Sequence, residues 1–275
     1  MRSRILVGIV ITLLVFVFAR RSSRNKPIEF EMEYAGARVT HSSVFEQVGP
    51  GEPRIDLAIQ PADIVVPVLL YRVSGAGRLE TLAMGQEPAS GVWTVRLPQM
   101  PRGHRIEYGF RLTRDDGSLG ERPVTTRFFT LKYKGEVSHT VLLLHILCMF
   151  AAFFFIVESM IGALAIVSRG ESKEYTVAMT RWVVAFTFIG GWPLGFTLNY
   201  QRFGVLWEGF PFGYDITDNK TQIMFLVWIA VMLLSWRSFF GRRTGDDPVG
   251  KRFYAWAVMV GAVVSFLLLL VPHSL

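Results

Sequence analysis

Four long apolar runs in the second half of the chain, at about residues 138–167, 182–199, 223–240 and 254–271, leave few folds open to it. A bilayer core about 30 Å thick is crossed by about 20 apolar residues in a helix, and each run is of that order. Backbone polar groups in lipid must find partners within their own segment, so these runs are expected to be helices packed into a four-helix transmembrane bundle over residues 136–275. A mean hydropathy of +0.35 agrees with a protein whose solvent is partly lipid.

A shorter run, Ile5–Ala19, opens the chain between Arg2 and Arg4 on one side and Arg20, Arg21, Arg24 and Lys26 on the other. Its fifteen residues reach about 22 Å as a helix, short of the full hydrocarbon thickness, which suits a cleaved signal peptide or an anchor. The run ends in Phe18-Ala19-Arg20-Arg21 rather than a small-x-small site, and flanking arginines can snorkel to lengthen the span. An uncleaved signal anchor over residues 1–26 is therefore expected.

The formal charge of +7 has a location that decides its meaning. Residues 27–135 hold thirteen Lys/Arg against thirteen Asp/Glu, and the remainder holds sixteen against nine, close beside the apolar runs. Charges so placed set topology; they do not form a groove for nucleic acid. The link after the first long run carries Arg169, Lys173 and Arg181, and the link after the third carries Arg237, Arg242, Arg243, Lys251 and Arg252. Both are expected on the cytoplasmic side of a cytoplasmic membrane, with the N-terminus inside and residues 27–135, loop 200–222 and the C-terminus outside. Arg20–Lys26 votes the other way and is outweighed by two concordant links. The single cysteine, Cys148, allows neither an intramolecular disulfide nor a CxxC site.

Between the anchor and the bundle the pattern changes to short alternating stretches. Ile55, Leu57 and Ile59 share one face, Val92–Leu97 alternates, and Ile106, Tyr108, Phe110 and Leu112 repeat the period of two. Asp115-Asp116-Gly117 reads as a hairpin turn. The expected fold class is α+β, with an antiparallel β-sandwich over residues 27–135. Two stretches, VPVLLYRVSG and GVWTVRLPQMPRGHRIEYGFRLTRDDGS, set a strand, a Pro-Gly turn and a Tyr-bearing strand before an Asp-Gly hairpin. Over about residues 53–130 this resembles fibronectin type III or immunoglobulin-like sandwiches. The resemblance implies a docking module without catalysis.

The stretch 200–222, YQRFGVLWEGFPFGYDITDNKTQ, is rich in aromatics and glycine between two apolar runs. Trp207, Phe210, Phe212 and Tyr214 are the candidate interaction residues, since aromatics of this kind carry much of the energy in interfaces. Gly209, Pro211 and Gly213 are expected to direct the chain as an ordered lid. Asp215, Thr217 and Asp218 precede the third long run, where side-chain oxygens cap helix N-termini, and Asp218 is the expected cap. A cation site from Glu208, Asp215 and Asp218 is the sharper alternative. Asn219-Lys220-Thr221 is formally a glycosylation sequon.

Within the apolar runs two ionisable residues stand out, and such groups in a bilayer are functional candidates by default. His145 follows His139 by six residues, about 120° away around a helix, so one straight helix does not aim both at one metal. A haem b or quinone site would pair His139 or His145 with His273. Interfacial placement of His139 and His273 and a hydrogen bond for His145 is the plainer alternative. Glu158 is either a polar contact between helices or a proton-relay residue. No Gly-rich phosphate loop, HExxH, GxSxG or spaced Cys/His cluster occurs in the chain. The reading reached is a non-catalytic integral subunit or scaffold that docks other membrane or periplasmic subunits through its sandwich and aromatic loop. Its rivals are a haem- or quinone-binding redox subunit of an electron-transport complex, and a transport or proton-conducting protein.

Overall fold

The computed structural model describes residues 2–22, 26–61, 64–75, 77–114, 124–241 and 247–271. The chain is α+β and divides into two compact units: a β unit of residues 26–136 with 201–204, and a helical unit of residues 1–25, 137–200 and 205–275.

Among the described residues eleven strands form the β unit: β1 (Glu29–Tyr34), β2 (Ala37–Ser42), β3 (Glu46–Val48), β4 (Arg54–Gln60), β5 (Val65–Val73), β6 (Glu80–Ala83), β7 (Gly85–Gln86), β8 (Trp93–Arg96), β9 (Arg105–Arg114), β10 (Val124–Thr125) and β11 (Phe129–Lys134). They make two sheets, one ordered β1-β2-β4-β8-β7 and the other β3-β11-β9-β5-β6, with β10 on β9. Alternation sets which side chains are buried. Ile55 and Leu57 of the first sheet, and Ile106, Phe110 and Leu131 of the second, are 0% exposed and belong to one hydrophobic core. Pro67 lies inside β5 although it has no N–H to give, because β6 pairs with β5 only from Val68 onward and leaves Pro67 unopposed on that side. One expectation is corrected here: β3 runs parallel to β11, so the sheets are not wholly antiparallel. The Asp115-Asp116-Gly117 turn lies outside the described residues.

A histidine and a tyrosine tie the sheets together through that core. His41 of β2 is 3% exposed, with Nδ1 2.7 Å from the Asp56 carbonyl and Nε2 3.0 Å from the Tyr108 hydroxyl of β9. The Val44 N–H donates to the same hydroxyl at 2.9 Å. Burial lowers the His41 pKa, opposed by its hydrogen bond to the Asp56 backbone.

The helical unit comprises α1 (Arg2–Ser22), α2 (His139–Arg169), α3 (Glu174–Ile189), α4 (Gly195–Phe203), α5 (Ile216–Leu234), α6 (Trp236–Phe239) and α7 (Lys251–Leu270). Helix α2 stops at Gly170, whose φ of 68° a side chain would resist, and the Gly170 and Glu171 N–H groups close on Ile166 and Ala165. Residues 190–194 join α3 to α4 as a π turn containing Pro193, at the place where Gly190-Gly191-Trp192-Pro193 departs from helix-forming sequence. Helix α1 packs on α2 through stacked Phe16 and Phe150 rings 3.7 Å apart.

Among the described residues three helical stretches are long and apolar enough to cross a membrane: α2, the continuous Glu174–Phe203 stretch and α7. The apolar part of α1, Ile5–Phe18, is shorter. Helix α5 departs from the expected run at 223–240: its first two turns hold Asp218 and Lys220, and it breaks at Ser235 before the short α6. The break coincides with a polar anchor, since Asp247 accepts both the Ser238 N–H (2.8 Å) and the Ser238 hydroxyl (2.5 Å).

Candidate functional site

Between α4 and α5 the chain makes a tight, hydrogen-bonded turn whose support comes from both helices. Asp215 is the N-cap of α5, its carboxylate accepting the Thr217 N–H (2.8 Å) and the Asp218 N–H (3.0 Å). Asp218, expected as the cap, has another place. Its carboxylate accepts the Asn199 amide at 2.9 and 3.0 Å and the Glu208 N–H at 2.7 Å, so it holds the loop to the end of α4. One residue on, Asn219 Oδ1 accepts the Phe210 N–H at 2.8 Å. The Asp215 N–H in turn donates to the Glu208 carbonyl at 2.9 Å. Gly213 lies so close to that carbonyl that a Cβ would collide with it.

The four aromatics of the loop divide into two roles. Trp207 is half-buried and stacks on Trp192 of the π turn, ring centroids 5.2 Å apart and 9° from parallel, with Phe196 against its edge. Gly209 lets the chain turn under that ring, where a Cβ would come 2.7 Å from it. Phe210, Phe212 and Tyr214 point outward, 62%, 84% and 89% exposed. A short loop thus has its backbone fixed at Glu208 and Phe210, one aromatic anchored, and three aromatics presented to the surroundings.

Asp215 and Asp218 spend their oxygens on backbone and amide donors, and no group of three or more His, Cys, Asp or Glu suited to a metal ion occurs among the described residues. His145 Nδ1 is 2.9 Å from the Gly190 carbonyl at the start of the π turn. His139 is the exposed first residue of α2, and His273 lies outside the described residues. Glu158 is 1% exposed and accepts the Tyr175 hydroxyl at 2.5 Å.

At the other end of the helices is a polar clasp that reading the sequence missed. Lys173 and Asp247 form an ion pair at 2.7 Å with side chains 5% and 0% exposed. Burial alone would raise the Asp247 pKa, but hydrogen bonds from Lys173 and Ser238 hold it below the ordinary carboxylate range. Arg181 donates to the Ser238 carbonyl, and Tyr254 donates to Thr180 at 3.0 Å. In sequence Lys173 and Arg181 count only for their charge, and Thr180, Ser238, Asp247 and Tyr254 carry no local signal. Asn199 escaped notice likewise, as did the loop contacts of Asn219 and Trp192, because each depends on a partner distant along the chain. Compared with known protein families and with curated proteins, the sequence matches no family model and no curated relative.

Proposed function

We propose that this protein is a non-catalytic integral subunit or scaffold of a cytoplasmic-membrane complex that docks membrane or periplasmic partners through its β unit and its aromatic loop. The observation that carries the proposal is the loop itself: Asp218 and Asn219 fix its backbone while Phe210, Phe212 and Tyr214 stand exposed. Ordering a loop before binding lowers the entropy lost on association, and exposed aromatics on a fixed backbone form an interface of high energy per residue. The order of the strands supports reading the β unit as an immunoglobulin-like or fibronectin-like sandwich. One sheet contains β2-β4-β8-β7 and the other β11-β9-β5-β6, which follows the A-B-E-D and G-F-C division of such domains. In this reading the segment α1 and four further helical segments cross the bilayer, the basic links lie in the cytoplasm, and the β unit and loop face outward.

The test uses the two most exposed aromatics, which have no part in holding the loop. Phe212→Ala with Tyr214→Ala should release co-purifying subunits while membrane insertion and helix content stay as in the parent. Recovery of the same partners at the same yield would remove the docking role of the loop.

A further inference from the structure

The two sheets of the β unit end in open edges that differ in length. Strand β1 is the end strand of its sheet and runs for six residues, against four in β6, three in β3 and two in β7, the other end strands. It joins β2 through Ala35-Gly36, a two-residue hairpin turn with both residues at positive φ (53° and 82°). The Ser43 N–H donates to the Ile28 carbonyl at 3.0 Å, and in an antiparallel ladder such bonded positions alternate with unbonded ones. Ile28, Phe30, Met32 and Tyr34 therefore spend their backbone groups on β2, whereas Glu29, Glu31 and Glu33 turn N–H and C=O to the open edge. Among the described residues no strand pairs with that edge. The side chains alternate too: Glu29, Glu31 and Glu33 are exposed on the outer face, while Phe30 and Met32 lie half-buried on the inner face against the core.

We propose that the open edge of β1 accepts an extended basic segment of a partner protein as an added strand. Its Lys or Arg side chains would stand opposite Glu29, Glu31 and Glu33, and its alternate apolar side chains beside Phe30 and Met32. Strand addition draws affinity from main-chain hydrogen bonds and specificity from alternate side chains. Edges are commonly closed to it by shortness, bulges or proline, yet β1 keeps an unbroken register from Glu29 to Tyr34 and contains no proline. Charge guards this edge instead, and the sign of the charge selects the partner. The outer face of the β1–β2 hairpin sets three carboxylates against the single guanidinium of Arg38, which pairs with Glu31 at 2.6 Å. A cationic strand gains cross-strand attraction there, whereas β1 of a second copy would set carboxylate against carboxylate. The inference rests on the docking role of the β unit and leaves the aromatic loop aside.

The experiment titrates the purified full chain, in neutral detergent, with a labelled peptide that alternates lysine and valine, beside one that alternates glutamate and valine. The lysine peptide should bind, more weakly as salt screens the charges, and should slow amide exchange at Glu29, Glu31 and Glu33 while the β6 amides stay unchanged. Glu29→Gln, Glu31→Gln and Glu33→Gln together should weaken binding about tenfold, as the loss of three cross-strand charge pairs implies. Glu31→Pro removes an N–H that faces the edge and none that β2 uses, a position where edge strands tolerate proline, and it should abolish binding. Failure of the lysine peptide to bind, equal binding of the glutamate peptide, protection outside β1, or binding unchanged by Glu31→Pro would each overturn the edge site. Partners that co-purify with the full chain while the peptide fails would leave the docking role standing and remove the edge alone.

Discussion

His41 illustrates how one residue can join two sheets and make their union depend on pH. Its Nδ1–H donates to the Asp56 carbonyl, Nε2 lies 3.0 Å from the Tyr108 hydroxyl, and burial favours the neutral ring. Burial lowers its pKa in the folded state, so the unfolded chain binds a proton at higher pH than the folded one does. The stabilisation is therefore complete above the ordinary histidine value of about 6.5 and is lost as pH falls through the lower folded value. Thermal midpoints of the β transition should decline on acidification through that window, and His41→Phe should flatten the decline. Tyr108→Phe leaves the His41 ring nitrogen and the Val44 N–H without their partner and should cost about 1–3 kcal/mol, read from denaturant unfolding.

At the scale of elements, the two aspartates at the start of α5 look alike in sequence and act on different structures. Asp215 caps the helix, so Asp215→Ala should cost about 1 kcal/mol and speed amide exchange in the first turn of α5 alone. Asp218 joins α4, the loop and α5, so Asp218→Ala should strip protection from the Glu208 amide and expose residues 205–214 to protease while α5 keeps its first turn. Equal effects of the two substitutions on the loop would show that the Asn199–Asp218 contact does not hold it. The aspartates are three residues apart, and local sequence describes both as good caps. Which one caps depends on Asn199, nineteen residues from Asp218.

For the molecule as a whole, the proposed topology is checked by where its links and ends lie. Reporter fusions at Arg242 and at Leu275 should report opposite sides of the membrane, because α7 separates them and is among the helices long enough to cross. The same side for both would cancel the arrangement with the basic links inside and the β unit outside. The count of crossings turns on α1 and α5. One has an apolar stretch of limited length, and the other begins with polar turns and ends at the Ser235 break.

The sequence by itself determined the alternation of β4 and β9 and the three described helical stretches long and apolar enough to cross a membrane, because a period of two or a run of apolar residues expresses the local geometry of the backbone. The interruption at Gly190–Pro193 is local in the same way, since proline's missing N–H acts within one turn. Tertiary structure alone decided that β3 lies parallel to β11 and that Lys173 meets Asp247. It likewise gave Asp218 to the loop. Each of these is a contact between segments far apart in the chain. Its partner is chosen by how whole elements pack, and no residue's immediate neighbours carry that information.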